Sequence, residues 1–220
     1  RPKWMEKIDA WRKAEAHIND KGFTTIRPQE IMEVIDDKCG ENVIITTDVG
    51  QHQIWAAQFC KKVRTRGFIT SGGLGTMGFG YGAAIGAQVG VPDATVVHIT
   101  GDGSFHMNMN ECCTAVTNHL RVITVIFDNQ VLGMVRQWQK SFYHEHYCQT
   151  VLERKTDYVK VVEGFGGTGF RAGTKEEFAD VMEKALRCEG PVWIVCPIDR
   201  DERVLPMIPG GGTVRSMITD

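Results

Sequence analysis

An acidic side chain and an amide side chain stand directly after two apolar runs of the chain. Asp102 lies in Gly101-Asp102-Gly103-Ser104, which follows the apolar run Thr95–Thr100. Asn129 lies 27 residues further along, after the apolar run Val122–Phe127. Ligands bind at the carboxyl ends of parallel strands, so both side chains are expected at one edge of a sheet. Mg²⁺ prefers such oxygen ligands and is often completed by phosphate, so the spacing predicts a site for Mg²⁺ and a diphosphate.

The residues around these two side chains fit the same interpretation. The carbonyl of Val131, just past the second apolar run, could give a third oxygen ligand. Gly101 and Gly103 flank the acid and let backbone N–H groups approach a phosphate closely.

A second glycine pattern admits other interpretations. Gly73–Gly78 reads GLGTMG, which is formally the GxGxxG pattern of dinucleotide-binding proteins, and Asp102 follows at a suitable distance. A nicotinamide-dependent dehydrogenase is therefore an alternative, as is a purely structural role of the glycines in turns and tight packing. The further glycines Gly72, Gly80 and Gly82 exceed what one pyrophosphate turn needs, which favours the magnesium and diphosphate interpretation.

Strand and helix patterns alternate along the chain and predict an α/β fold. Such alternation is typical of a three-layer structure, with a parallel sheet and helices on both faces. The predicted strands are 42–47, 68–70, 95–100, 122–127, 168–171 and 192–196. The predicted helices are 4–20, 28–39, a stretch through Trp55 and Phe59, 83–89, 108–117, 133–139, 158–165 and 175–187.

The ends of the chain are predicted to lie outside this fold. We expect a helix and linker over residues 1–27, the ligand-binding domain over 28–209, and a flexible tail over 210–220. Within the domain, the polar and irregular stretch 140–156 indicates a mobile lid.

Composition excludes several classes of protein. The chain has 220 residues, is 42% hydrophobic and 24% charged, and carries a formal net charge of −2. This balance gives no basic surface for nucleic acid or membranes, and no apolar run reaches about 18 residues. The seven cysteines form no CxxC pair, so we expect reduced packing residues and a cytoplasmic location, or a plastid in a plant. The chain starts at Arg1 with no signal-peptide pattern, which suggests a fragment or a processed product.

Longer strings in the sequence resemble a known family. The GDGS…DN arrangement resembles the thiamin-diphosphate motif of enzymes that use this cofactor. The strings are DVGQHQIWAAQF (48–59), TSGGLGTMGFG (70–80), GDGSFHMNMNE (101–111) and LGMVRQWQKSFY (132–143). They look like the C-terminal thiamin-diphosphate-binding domain of the acetolactate synthase (acetohydroxyacid synthase) large subunit, over nearly the whole chain.

The resemblance implies a role for each matching position. Asp102, Asn129 and the Val131 carbonyl would bind Mg²⁺. Met77 would fill the bend of the cofactor, Met134 would pack near its aminopyrimidine, and Trp138 would line the acceptor pocket. The full set implied to bind the cofactor is Gln51, His52, Gly75, Met77, Gly101, Gly103, Ser104, Leu132, Gly133, Met134 and Val135.

Several of these residues also have structural interpretations. Met77 and Met134 could be core residues, Trp138 a lid packing residue and His52 a structural histidine; Cys112-Cys113 is expected to fill core. Three features depart from the family pattern, one of which is Tyr81-Gly82 in place of the usual Leu-Pro after the glycine segment. Asp128 stands where Asn is common, which makes the metal site more negative, and His144-Glu145-His146 replaces a stretch where Arg is common.

The activity that the resemblance implies is the decarboxylation of pyruvate and ligation to a second pyruvate or 2-ketobutyrate. Other thiamin-diphosphate enzymes, of the pyruvate oxidase or glyoxylate carboligase type, are alternatives. The family's catalytic glutamate lies on a pyrimidine-binding domain, which these residues do not resemble, and FAD is bound elsewhere in the full-length enzyme. We therefore expect a half-site that needs a pyrimidine-binding domain, a homo-oligomer, and in some cases a regulatory subunit.

Overall fold

A computed structural model describes residues 2–15, 22, 24–61 and 63–219 of the chain. The chain divides into two compact units, residues 25–203 and residues 1–24 with 204–220. Each unit is described by itself. The predicted domain boundaries at 27/28 and 209/210 remain predictions.

The larger unit is built on one parallel sheet of six strands, which confirms the predicted α/β fold. The strand order is β2-β1-β3-β4-β6-β5, and every neighbouring pair is parallel. The strands are β1 (Val43–Thr47), β2 (Phe68–Thr70), β3 (Thr95–Gly101), β4 (Val122–Asp128), β5 (Thr168–Arg171) and β6 (Val192–Pro197). The inner strands are almost wholly buried, as their continuous apolar runs require in a sheet covered on both faces.

Helices cover both faces of the sheet. α2, α3 and α9 pack together on one face, while α4, α5, α6 and α8 enclose a core around Tyr81, Phe105, Tyr158 and Trp193 on the other. The helices of this unit are α2 (Pro28–Cys39), α3 (Gln51–Phe59), α4 (Phe79–Gly90), α5 (Asp102–Asn108), α6 (Cys112–Thr117), α7 (Gly133–Phe142), α8 (Tyr158–Gly164) and α9 (Lys175–Arg187).

Three helix predictions differ from the structure. The predicted helix 108–117 is divided into α5, a 3₁₀ turn over Met109–Glu111, and α6, so that helix begins at Asp102 itself. α4 begins at Phe79 instead of residue 83, and α7 continues to Phe142. At the start of α4 the Asp48 carboxylate accepts the N–H of Gly78, a tertiary contact that the glycine-rich sequence does not reveal.

The strand order places a cleft between β1 and β3. The chain leaves β1 toward β2 at one edge of the sheet, and leaves β3 toward β4 in the opposite direction. Such a reversal separates the two connections and opens a crevice at the carboxyl ends of the strands.

The smaller unit contains α1 (Pro2–Glu15), whose predicted continuation over 16–20 lies outside the described residues. Trp4 and Trp11 stack edge to face with ring centroids 5.7 Å apart, and both are more than half exposed. Met207 and Ile218 pair through two backbone hydrogen bonds. Among the described residues of the whole chain, no helix is both long enough and apolar enough to span a bilayer.

The cysteines are free thiols in different environments. Cys112 and Cys196 are buried, whereas Cys113 and Cys148 are exposed. The prediction that Cys112 and Cys113 both fill core is therefore wrong for Cys113, which lies on the outer side of α6.

Candidate functional site

Three helices begin at one cleft of about 220 Å³ at the carboxyl edge of the sheet. They are α3 after β1, α5 after β3, and α7 after β4. Helix N-termini present unpaired N–H groups and a partial positive charge, which suits phosphate. The predicted site residues that line this cleft are Gln51, His52, Met77, Gly101, Asp102, Gly103, Ser104, Asn129, Val131, Leu132, Gly133, Met134 and Val135.

Strand register brings the predicted metal ligands to this cleft. Gly101 of β3 pairs with Phe127 of β4, so Asp102 and Asn129 continue from adjacent strand ends. Asp102 is 1% exposed, and its Oδ2 has no hydrogen-bond partner among the described residues. A buried carboxylate oxygen without a partner is costly unless a cation or donor satisfies it. The residues present therefore fit a bound divalent cation.

The segment after β4 pairs with residues 150–152, and among the described residues the Val131 carbonyl takes no part in this pairing. The carbonyl of Gln130 accepts from Leu152 N, and the N–H of Leu132 is donated to Thr150 O. Val131 lies between these bonds, and its N–H is donated to Asn129 Oδ1 at 3.2 Å. The Val131 carbonyl, the third predicted ligand, lies outside this pairing.

Burial and charge act on the acids of the cleft. Burial, with Asp128 nearby, raises the pKa of Asp102 to about 7. Burial also raises the pKa of Asp128, against a hydrogen bond from Gln130 and the charge of Arg171. A divalent cation beside Asp102 would favour its ionised form, since an opposite charge stabilises a carboxylate.

The backbone at the start of α5 is held by Arg154, in the segment 140–156 that was predicted to be a mobile lid, and by Tyr158, which follows that segment. Arg154 Nη1 and the Tyr158 hydroxyl both donate to the Asp102 carbonyl, at 3.2 and 3.3 Å. Thr150 and Tyr158 are buried. The irregular stretch is thus hydrogen-bonded to both strand ends of the cleft at its C-terminal end.

Gln51 cross-links the cleft through its side chain. Its Nε2 donates to Gln137 Oε1 and to the Glu202 carbonyl, both at 2.9 Å, and Asn129 Nδ2 lies 3.5 Å from its Oε1. These contacts use both amide hydrogens. The contribution of Gln51 to diphosphate binding stays a prediction.

His52 lies at the cleft with its ring against backbone. A Cβ at Gly50 or Gly101 would approach ring atoms of His52 to 2.9 Å, so glycine is required at both positions. Burial lowers the pKa of His52 to about 4, and its Nε2 has no partner among the described residues. The neutral His52 ring therefore packs against the backbone at Gly50 and Gly101 and also lines the cleft.

Two predicted residues lie outside this cleft. Gly75 occupies the turn before α4 with φ +63°, a backbone conformation that suits glycine. Trp138 instead lines a neighbouring cavity of about 770 Å³, which shares Met134 and Val135 with the cleft. The other residues of that cavity are Gln139, Phe142, Tyr143, His144 and His146.

Sequence reasoning missed part of the cleft wall. Val49, Gly50, Gln53, Ile54, Trp55 and Phe127 also line it. Gly50 through Trp55 fall in the string Asp48–Phe59, so that string signalled the right segment without singling out these side chains.

The fold and cleft define the class of protein. The chain matches, over residues 48–196, the family described as "Thiamine pyrophosphate enzyme, C-terminal TPP binding domain". The match covers most of the chain, and the chain belongs to this family. This confirms the resemblance to thiamin-diphosphate enzymes stated from the sequence. The alternative interpretation of Gly73–Gly78 as a dinucleotide-binding motif finds no such support.

Individual relatives are similar over 97–98% of this chain. It is 43% identical to the acetolactate synthase isozyme 2 large subunit of Escherichia coli (strain K12), and 40% identical to the probable acetolactate synthase large subunit of Methanococcus aeolicus. It is also 40% identical to acetolactate synthase 1, chloroplastic, of Nicotiana tabacum. The chain spans 39%, 37% and 34% of the length of these three relatives, respectively.

Proposed function

We propose that this chain is the diphosphate- and Mg²⁺-binding part of an acetolactate synthase. Its reaction would be the decarboxylation of pyruvate and ligation to a second 2-keto acid, giving 2-acetolactate or, from 2-ketobutyrate, 2-aceto-2-hydroxybutyrate for branched-chain amino acid synthesis. The observation that carries the proposal is the buried Asp102, with an unpartnered Oδ2, beside Asn129 in a cleft formed by three helix N-termini. The acetolactate synthase relatives support the choice of reaction.

In this proposal the cleft binds the charged end of thiamin diphosphate. Asp102, Asn129 and the Val131 carbonyl would hold Mg²⁺, because a hard cation takes oxygen ligands. Backbone N–H groups at the starts of α3, α5 and α7 would bind phosphate oxygens, since helix N-termini favour anions. The chemistry that the cofactor supplies when bound is stabilisation of the carbanion left when a 2-keto acid loses CO₂.

The neighbouring cavity would receive the acceptor 2-keto acid. Trp138 and Phe142 pack edge to face with centroids 5.2 Å apart and give it an apolar wall. Such a wall discriminates acceptors by apolar contact, where one methylene is worth roughly 1–3 kcal/mol. Because 2-ketobutyrate has one methylene more than pyruvate, contact with this apolar wall would favour 2-ketobutyrate as the acceptor.

The proposal includes parts that this chain does not supply. A pyrimidine-binding domain would provide the glutamate that contacts the aminopyrimidine, and FAD would be bound by another domain. The chain spans less than two fifths of its relatives' length, which supports such a division. A homo-oligomer, a regulatory subunit in some settings, and a cytoplasmic or plastid location complete the proposal.

The metal assignment is tested by replacing Asp102 with Ala. We expect calorimetry to show Mg²⁺-dependent binding of thiamin diphosphate weakened by more than about 100-fold, because a direct metal ligand is lost. The measurement uses the chain assembled with a pyrimidine-binding domain. Asp180→Ala, which removes an exposed carboxylate on α9, is the matched control and should leave binding unchanged. Unaltered affinity in Asp102→Ala would refute the metal site.

The reaction is tested by product analysis in the same assembly. Acetolactate from pyruvate alone, and 2-aceto-2-hydroxybutyrate when 2-ketobutyrate is added, are the expected products. Acetyl phosphate formed when phosphate and O₂ are also supplied would point to a pyruvate oxidase type of enzyme, and tartronate semialdehyde formed when glyoxylate replaces pyruvate would point to a glyoxylate carboligase type. Full turnover by the isolated chain would overturn the half-site proposal.

A further inference from the structure

Helix α4 begins beside the cleft without a capping side chain of its own. Its N-cap residue is Gly78, with φ 88°, and its described first turn contains no acidic residue. A carboxylate from another element takes this role. Asp48 Oδ1 accepts the N–H of Gly78 at 2.6 Å and lies 3.5 Å from the N–H of Gly80. The N-terminus of α4 is therefore capped by a residue that directly follows β1, thirty positions earlier.

Asp48 is itself held firmly by the sheet. It is 1% exposed, and its N–H is donated to the Ile99 carbonyl at 2.9 Å. Its Oδ2 accepts from the Thr100 hydroxyl at 3.2 Å, with His98 Nε2 at 3.8 Å. A negative charge at a helix N-terminus is favourable, and burial with several donors makes its geometry specific.

The close contact between α4 and β1 depends on the absence of a side chain at Gly80. A Cβ there would lie 2.6 Å from both the Asp48 nitrogen and the Thr47 carbonyl carbon. The first turn of α4 consequently rests on the backbone at the end of β1, where the Asp48 carboxylate can reach it.

The residue before this capped glycine is Met77, which lines the cleft. Gly78 also contacts two residues of α5. Asn108 Nδ2 donates to the Gly78 carbonyl at 3.1 Å, and the Gly78 N–H lies 3.4 Å from Ser104 Oγ. Gly78 is thus tied to the end of β1 and to the helix that begins with Asp102. The position of Met77 relative to the metal ligands is fixed through these bonds.

We propose that Asp48 is a positioning residue for cofactor binding, acting through Gly78 to set Met77 against the non-phosphate part of thiamin diphosphate. This inference rests on the proposed function. It separates two parts of the cleft. Asp102 and the helix N-termini would bind Mg²⁺ and diphosphate, whereas Asp48 would govern only the contact that Met77 makes with the rest of the cofactor.

Calorimetry with two probes tests this separation in the chain assembled with a pyrimidine-binding domain. For Asp48→Ala we expect the Kd of thiamin diphosphate with Mg²⁺ to rise about tenfold or more, as for loss of a charged hydrogen bond. The Kd of inorganic diphosphate with Mg²⁺ should stay within about twofold. Asp48→Asn keeps an acceptor oxygen and should restore most of the cofactor affinity.

A matched control separates positioning from general destabilisation. Thr174 caps α9 far along the chain, accepting the N–H of Glu177 at 3.2 Å. Thr174→Ala should lower the melting temperature as a lost cap does, with both Kd values unchanged. Met77→Ala should reproduce the cofactor-specific loss, and adding Asp48→Ala to it should weaken binding little further, because the two residues act as one unit.

Each outcome decides the inference. Equal weakening of both probes by Asp48→Ala, or additive losses in the double variant, would overturn the positioning role. Unchanged binding of both probes in Asp48→Ala would overturn it as well, while leaving the proposed function intact. If the unsubstituted assembly bound neither probe, the proposed function and this inference would both fall.

Discussion

The three helices that begin at the cleft have differently built N-termini from α8 and α9, which begin elsewhere. α3, α5 and α7 follow Gly50, Gly101 and Leu132, where the described residues show no side-chain capping bond. α8 and α9 follow Asp157 and Thr174, whose side chains accept a backbone N–H of the first turn. A helix without a cap leaves its N–H groups available to an anion. The helices at the cleft therefore lack the stabilisation of a side-chain cap, and a bound anion could satisfy their first-turn N–H groups instead.

The two regions also differ in how they are held together. α9 buries an apolar face, with Phe178, Met182 and Ala185, in contact with α2. Beside the cleft, Asp48 and His98 are fully buried and are held by hydrogen bonds and glycine contacts. Stability near the cleft should therefore depend more on protonation and on exact glycine positions than stability around α9.

The first prediction concerns acid and the buried histidine of β3. Burial lowers the pKa of His98 to about 4, against about 6.5 in an unfolded chain. Between these values the unfolded chain binds the extra proton, so the contribution of His98 to the free energy of unfolding falls as the pH falls. The slope is up to about 1.4 kcal/mol per pH unit. Asp102, with its raised pKa, contributes with the opposite sign, so the prediction applies to a difference between variants.

Urea unfolding at pH 7, 6 and 5 measures that difference. Relative to His98→Gln, the unsubstituted protein should lose stability on going from pH 7 to pH 5. The exposed His144 gives the control, since His144→Gln should follow the unsubstituted protein at every pH. Parallel curves for the His98→Gln variant and the unsubstituted protein would contradict the prediction.

A second prediction tests the dependence on glycine. A Cβ at position 133 would lie 2.0 Å from Gln51 Oε1 and 3.1 Å from Asn129 Nδ2. Gly133→Ala should lower the free energy of unfolding by roughly 1–3 kcal/mol, as overpacking does, and should displace Asn129. At Gly190 nothing lies within 4 Å of the added carbon, so Gly190→Ala is the control for urea unfolding. Equal urea midpoints of unfolding for the two variants would show that the residues around Gly133 accommodate the added carbon without loss of stability.

The sheet and the placement of Asp102 and Asn129 at adjacent strand ends could be predicted because they depend on local signals. The apolar runs of β3 and β4 are continuous, and parallel register then forces Asp102 and Asn129 to adjacent strand ends. The extent of the helices was harder. Nothing in Gly101-Asp102-Gly103-Ser104 resembles a capped helix start, yet α5 begins at Asp102, whose carbonyl accepts hydrogen bonds from the distant Arg154 and Tyr158.

Contacts between residues far apart in the chain explain the features of the site that could not be predicted from the sequence. Asp48 and Gly78 lie thirty residues apart and meet only because α4 crosses the end of β1. The Gln51 side chain donates to Gln137 and to the Glu202 carbonyl, partners 86 and 151 residues away that no local pattern reveals. Propensity and spacing carry no information on such pairings, which are set by the packing of whole elements.

The smallest predicted effect tests the uncapped helix starts by adding a charge to one of them. Leu132 precedes α7 and lines the cleft. Leu132→Asp should bind inorganic diphosphate with Mg²⁺ about tenfold more weakly than Leu132→Asn, because the added carboxylate competes with phosphate for the same N–H groups. The two variants share shape and differ in charge, so the ratio of their Kd values from calorimetry isolates electrostatics. The ratio should shrink as ionic strength is raised. Equal affinities at low salt would mean that the start of α7 does not face the anion, and would restrict the comparison between capped and uncapped helices to α3 and α5.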